Sequence, residues 1–231
     1  TYNILEAIRS HSELIKNNEF MLHHISTDEV YGDIEVNSKP PIENSPYNPS
    51  SPYSATKASS DMLVMAWNRT YKIPTIISNC TNNYGPYQYP EKLIPVIILN
   101  ALHKKKIPLY GDGKQIRDWI HVNDHIEGLI NLMKNGVSGN SYHFGGNNQI
   151  DNLYVAHEVC RVIESIKGDG FNYQSLIKYV DDRPGHDKRY ALNINKSKKL
   201  LNWSPKISFK EGIKDTVHWY LNNKDWWNEL S

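Results

Sequence analysis

Apolar and polar positions alternate in blocks along the chain, and the blocks carry two different periods. Residues 2–16 place Ile4, Leu5, Ile8 and Leu14 at helical spacing, which predicts a helix. Phe20 to Ile25 is a short apolar run ending in Ser26-Thr27-Asp28-Glu29, the pattern of a buried strand with polar residues at its C-terminal end. Residues 32–52 are rich in Pro, Ser and Asn and read as a loop. A long helix is predicted over 53–72, with Met62, Leu63, Met65 and Ala66 as its apolar face and Pro74 closing it. Short strands follow at 75–78, 108–110, 141–144 and 177–180. Helices are expected at 93–102, 123–134, 151–166, 195–202 and 208–223. Residues 79–91 read as a second polar loop, 111–113 as a turn, and Lys104-Lys105-Lys106 as a solvated helix end. Strands alternating with helices indicate an α/β fold with a mostly parallel sheet. Ligands in such sheets sit beyond the carboxyl ends of the strands, so polar residues at those ends are the candidates for chemistry.

Composition narrows the partners. The chain has 231 residues, 26 basic against 25 acidic, for a net charge of +1. That balance gives no bulk attraction to nucleic acid or to an anionic membrane. No apolar run approaches the ~20 residues needed to span a bilayer. Cys80 and Cys160 are far apart and form no CxxC, so a soluble cytoplasmic protein without disulfides is expected. The chain opens on Thr1 inside an amphipathic helix and is therefore expected to be a fragment.

Two groups carry candidate chemistry. Ser26-Thr27-Asp28-Glu29 stands at a strand end and has two readings. One is a capping box with Ser26 as N-cap and Glu29 three residues on. The other is an acid and a base side by side in one pocket. Tyr53-Ser54-Ala55-Thr56-Lys57 places Tyr and Lys four apart on one helix face. A nearby ammonium favours phenolate and is expected to lower the phenol's pKa from ~10. The bland reading is two solvated side chains. His121 and His125 lie four apart, but Val122 stands where a zincin helix needs Glu, so no metal site is expected.

Taken together, Ser26-Thr27-Asp28-Glu29-Val30-Tyr31-Gly32 and Tyr53-Ser54-Ala55-Thr56-Lys57-Ala58 resemble the extended short-chain dehydrogenase/reductase superfamily. The Thr-Asp-Glu triplet is similar to that of the nucleotide-sugar 4,6-dehydratases. Three more stretches point to the branch acting on dTDP-glucose: Asn79 to Tyr87 with Pro90 to Pro95, Gln115 to Trp119, and Asp182 to Tyr190. That family opens with a glycine-rich turn holding the NAD pyrophosphate. No such turn occurs here, and Gly111-Asp112-Gly113-Lys114 is no P-loop because Gln115 follows. The chain thus looks like the C-terminal two-thirds of such an enzyme. It also departs from the family at Tyr142-His143-Phe144 and at Asn193-Ile194-Asn195.

The resemblance implies a Rossmann-like parallel sheet, C-terminal portion only, with a smaller interleaved α/β substrate domain. Residues 1–80 and 115–136 would belong to the NAD-binding part, and 81–114 and 137–231 to the nucleotide-sugar part. It implies NAD as cofactor, with Tyr53, Lys57 and Asn79 as contacts. Tyr53 would take the C4 hydroxyl proton, Lys57 hold it as phenolate, and Thr27 bond the C4 oxygen. Glu29 would remove the C5 hydrogen and Asp28 protonate the departing C6 hydroxyl. Asn83, Lys92, Leu93, Tyr110, Arg117, Asn152, Arg183 and His186 would bind the nucleotide sugar, with Tyr110 against the base. A homodimer through residues 2–16 and 53–72 is implied as well. Thymine against uracil stays open, as do UDP-glucose dehydration, decarboxylation, epimerisation and a non-catalytic binding role.

Overall fold

The structure is a computed structural model that describes residues 1–16 and 20–230. Helix α1 (Tyr2–Ser10) and the short α2 (Ser12–Lys16) precede β1 (Leu22–Thr27), whose last residue leads into a 3-10 helix at Asp28–Tyr31. A long loop then reaches α3 (Pro52–Tyr71), β2 (Thr75–Cys80), β3 (Asn82–Tyr84) and α4 (Leu93–Leu102). Next come β4 (Ile107–Tyr110), β5 (Ile116–His121), α5 (Val122–Asn135), β6 (Ser141–Phe144) and β7 (Gln149–Asp151). The chain closes with α6 (Asn152–Lys167), β8 (Ile177–Val180), α7 (Asn195–Leu201), α8 (Phe209–Asn222) and α9 (Lys224–Asn228). Among the described residues no helix is long and apolar enough to cross a membrane.

Strands β1, β2 and β6 form a parallel sheet in that order, with Ser26 opposite Asn79 and Asn79 opposite His143. Both faces of this sheet are covered. On one, α1 and α3 bury Leu5, Val64 and Ile77; on the other, Leu132, Ile194, Leu201 and Trp203 pack on Ile76, Tyr142 and Phe144. Burial on both faces is what makes parallel strands read as apolar runs and not as alternation. A second sheet joins β3 to β5 in parallel and β5 to β7 antiparallel, and β4 pairs with β8. The largest core lies between α4, α6 and α8, around Ile97, Ile98, Val159, Ile163, Ile213 and Val217. The α/β class and parallel pairing match the expectation from sequence.

Several local expectations change. The helix over 2–16 breaks at His11, whose ring nitrogen bonds the Ala7 carbonyl at 2.7 Å while its N–H bonds the Ile8 carbonyl. These two bonds use up carbonyls that a continuing helix would need. Residues 17–19 and the side chain of Leu14 lie outside the described residues. The apolar face of α3 is not the expected one. Met62 and Met65 are exposed, and Ala58, Asp61 and Val64 point inward instead. Within the expected loop 79–91, Asn82–Tyr84 is a strand, because it pairs with Ile116–His121 far along the chain. That partner was not predicted, since Arg117 and Asp118 hide its apolar character; both are buried here. The hydrogen bonds also cross the expected division of the chain. Ser141–Phe144 joins the first sheet, and Ile116–His121 joins the second.

Candidate active site

The carboxyl end of β1 carries the first group. Thr27 is the N-cap of the 3-10 helix, and its hydroxyl accepts the Glu29 N–H at 3.3 Å and donates to Asp28 Oδ1 at 3.2 Å. The capping-box reading with Ser26 as N-cap is therefore overturned: Ser26 Oγ donates to Asp61 at 2.8 Å. Gly32 ends the 3-10 helix at φ +71, where a Cβ would lie 1.9 Å from the Asn48 carbonyl oxygen. Only glycine fits that turn. Asp28 is buried, and its Oδ2 has no hydrogen-bond partner among the described residues. Burial, then the neighbouring Glu29 carboxylate, pushes the Asp28 pKa up to about 7. Burial also raises Glu29, which is more accessible, while Arg117 and Arg183 pull it back.

Helix α3 supplies the second group. Ser51 and Ser54 form a reciprocal capping box, with Pro52 in the first turn. This start sets Tyr53 and Lys57 one turn apart on the face toward β1. The Lys57 ammonium donates to the Ile25 carbonyl at 2.7 Å. The expected lowering of the phenol does not appear. Burial raises the Tyr53 pKa, the carboxylates of Glu29 and Asp28 add to it, and only the Thr27 hydroxyl opposes them. The lysine ammonium is held on the strand carbonyl, and the carboxyl charges that act on the phenol are those of Glu29 and Asp28.

Tyr53 and Glu29 line one cleft of about 440 Å³ together with Ser51, Lys92, Arg183, Asp187 and Tyr190. Arg117 stands behind it, buried, with its guanidinium 4.5 Å from the Tyr190 ring centre and bonded to the carbonyls of Ile116 and Asp187. Asp187 accepts from both Ser50 and Tyr190, tying the long loop to this wall. Lys92 is the N-cap of α4, with no side-chain cap hydrogen bond, and Leu93 is the first residue of that helix; the Lys92 ammonium pairs with the exposed Glu91 at 3.1 Å.

A third group lies toward β4. Tyr110 is 46% exposed at the strand end. Gln115 and Asn152 are buried, and each keeps a side-chain carbonyl oxygen without a partner among the described residues. His186 bonds Asp182 at 2.7 Å, and Gln115 donates to the other Asp182 oxygen. Gln115 was missed by sequence reasoning, although it directly follows the Gly-Asp-Gly-Lys turn. Asn83 is not brought to the cleft. Its carbonyl accepts from His125 at 2.8 Å and its amide donates to the Thr81 carbonyl at 3.2 Å. Asn79 donates to the Thr27 carbonyl at 3.1 Å, and its Oδ1 has no hydrogen-bond partner among the described residues. His121 caps α5 by accepting from Asn123, so both histidines of the i, i+4 pair have structural partners.

Comparison with known proteins places this arrangement. Residues 1–216 match the family described as GDP-mannose 4,6 dehydratase. A dTDP-glucose 4,6-dehydratase of Escherichia coli is 50% identical over 245 residues, covering all of this chain and 68% of that protein. Among solved structures, the dTDP-glucose 4,6-dehydratase from Bacillus anthracis in complex with NAD superposes with a TM-score of 0.85 at 44% identity, over 95% of this chain and 68% of that one. The dTDP-glucose 4,6-dehydratase from Streptomyces venezuelae, solved with NAD and TYD bound, gives 0.84 at 41% identity, over 91% and 63%. This chain thus spans about two-thirds of the length of the relatives it matches.

Proposed function

The chain belongs to the nucleotide-sugar 4,6-dehydratase family, and we propose that it carries the substrate-processing part of an NAD-dependent lyase that converts dTDP-glucose to dTDP-4-keto-6-deoxyglucose and water. The observation that carries this reading is the pair Asp28–Glu29: Asp28 is buried with its pKa raised to about 7, and Glu29 opens to the cleft that holds Tyr53. Two adjacent carboxyls, one enclosed and one open to the cleft, can serve as an acid and a base.

NAD would be held at this end by Tyr53, Lys57 and Asn79. All three stand toward the carboxyl end of the β1–β2 sheet, and the buried Asn79 Oδ1 is an acceptor without a partner among the described residues. When bound, NAD would supply reversible hydride transfer with the sugar. Tyr53 removes the proton of the C4 hydroxyl, and Thr27 hydrogen-bonds the C4 oxygen. Burial and the neighbouring carboxyls hold the phenol above its ordinary value, so Tyr53 takes this proton only with positive charge beside it, Lys57 being the cation of its own helix face. A ketone at C4 acidifies the C5 hydrogen, which Glu29 takes as carboxylate. Asp28, protonated, gives its proton to the C6 hydroxyl as water leaves. Elimination therefore slows above about pH 7, where Asp28 ionises, and at low pH, where Glu29 is protonated.

Lys92 and Arg183 at the cleft mouth, with Arg117 behind, suit a diphosphate. Leu93 would offer its backbone N–H to the substrate, and Tyr110, Asn152 and His186 would contact the base and ribose. The first sheet then forms the cofactor lobe and the β3–β5–β7 and β4–β8 sheets the sugar-nucleotide lobe. Two copies pair through α1 and α3, whose outward Tyr2, Ile4, Met62 and Met65 are exposed. Cys80 and Cys160 are free thiols, which suits the reducing cytoplasm.

The test is product analysis. The complete protein is incubated with dTDP-glucose and, separately, UDP-glucose, and products are identified by mass spectrometry and NMR. A 4-keto-6-deoxy sugar, formed faster from the dTDP substrate, is expected. A C4 epimer, or carbon dioxide from the corresponding uronic acid, would replace the reading with that activity.

A further inference from the structure

Asp61 is completely buried in the middle of α3, and no motif in the sequence singled it out. Its carboxylate gathers four polar groups from three other segments. Ser26 Oγ donates to Oδ2 at 2.8 Å and His24 Nε2 bonds Oδ1 at 3.0 Å, both from β1. Tyr47 OH donates at 3.0 Å from the long loop, and Asn79 Nδ2 reaches it at 3.4 Å from β2. Asn79 uses the same amide group on the Thr27 carbonyl at 3.1 Å. One turn earlier on the helix, Lys57 bonds the Ile25 carbonyl. Lys57 and Asp61 therefore make two rungs, four residues apart on α3, to three consecutive residues of β1 and, through Asn79, to the fourth.

A buried carboxylate is costly unless its lone pairs are filled. Here they are filled only when α3, β1, β2 and the loop hold one mutual register. The same α3 carries Tyr53 and the same β1 ends in Thr27 and Asp28, so that register sets where the phenol stands relative to the hydroxyl and the carboxyl. From this geometry we infer that Asp61 is a positioning residue for proton transfer, fixing the alignment of Tyr53 with Thr27 and Asp28 without touching substrate. The inference rests on the dehydration reading above. Misplacement by about 1 Å costs a reaction of this kind on the order of 100-fold.

The complete protein loaded with NAD is compared as wild type and Asp61→Asn. The amide keeps the volume but turns one acceptor into a donor facing Ser26, Tyr47 and Asn79. A kcat about 10- to 100-fold lower is expected, with thymidine diphosphate affinity by calorimetry within about twofold. The Tyr53 phenol, followed by NMR of ring-labelled tyrosine and assigned with Tyr53→Phe, is expected to titrate at a shifted pH. A wild-type kcat and an unchanged Tyr53 titration, with only a lower melting temperature, would overturn the inference, as would equal losses in kcat and in diphosphate affinity. If Asp61→Asn does not fold, Ser26→Ala and Tyr47→Phe each remove one donor from the carboxylate. Each is expected to lower kcat about 3- to 10-fold and shift the Tyr53 titration, and wild-type behaviour in both overturns it. The titration does not depend on turnover. A wild-type protein that yields no 4-keto-6-deoxy product defeats the functional reading, whereas an unshifted Tyr53 defeats the positioning role.

Discussion

Replacing Asp28 with Asn should make the protein slower and, above neutral pH, more stable. In the unfolded chain the carboxyl titrates near its ordinary 3.8, whereas in the fold burial and Glu29 move it up to about 7. The folded state therefore binds this proton more tightly than the unfolded state. Stability from this group is fully present below pH ~4, falls as pH rises from there to about 7, and is constant beyond. A gap of about 3 pKa units at ~1.36 kcal/mol each amounts to about 4 kcal/mol lost by pH 8. Asn cannot ionise and does not suffer this loss. It keeps an acceptor for the Thr27 hydroxyl, and any cost of burying its amide N–H groups, about 1–3 kcal/mol, does not vary with pH. The observable is thus a slope. Urea unfolding of wild type and Asp28→Asn at half-unit steps from pH 4 to 9 should give a difference that grows by ~1.4 kcal/mol per pH unit up to about 7 and then levels. Elimination of water should meanwhile slow by ~100- to 10,000-fold, the usual loss of a positioned acid. A pH-independent stability difference would show that Asp28 is ionised in the folded protein and could not serve as the proton donor. Greater stability with lower activity is the usual signature of a group strained for function.

Four further outcomes are expected. Tyr53→Phe should lower kcat by ~100- to 10,000-fold with nucleotide-sugar affinity retained, measured by steady-state kinetics and calorimetry; near-normal turnover would mean another base acts. Arg183→Ala should raise KM by about tenfold with little change in kcat, because it removes a charge at the cleft mouth, while Arg117→Lys should lower stability through lost stacking on Tyr190 and lost carbonyl bonds. Met65→Glu on the exposed face of α3 should leave the melting temperature nearly unchanged and shift the mass in analytical ultracentrifugation to the monomer; a dimer that persists would place the interface elsewhere.

What local pattern determines was legible in the chain. Leu93–Leu102 and Ser141–Phe144 lie where their apolar runs and flanking turn residues predict, since a helix or a doubly covered strand needs only its own side chains to declare itself. Thr27-Asp28-Glu29 and Tyr53-x-x-x-Lys57 were legible for the same reason, as residue types at short spacing. Tertiary structure decided what depends on partners distant in sequence. Ile116–His121 becomes a strand because Asn82–Tyr84 and Gln149–Asp151 complete its hydrogen bonds and because its buried Arg117 and Asp118 find carbonyl and N–H partners. The inward face of α3 is chosen by Asp61, a residue that hydropathy assigns to solvent and that four donors from other segments hold inside. The charge on Asp28 and the phenol of Tyr53 follow the same rule. Sequence names the groups, but a pKa depends on which charges and how much water the fold leaves beside them, and Lys57, four residues from Tyr53, is drawn to the Ile25 carbonyl instead.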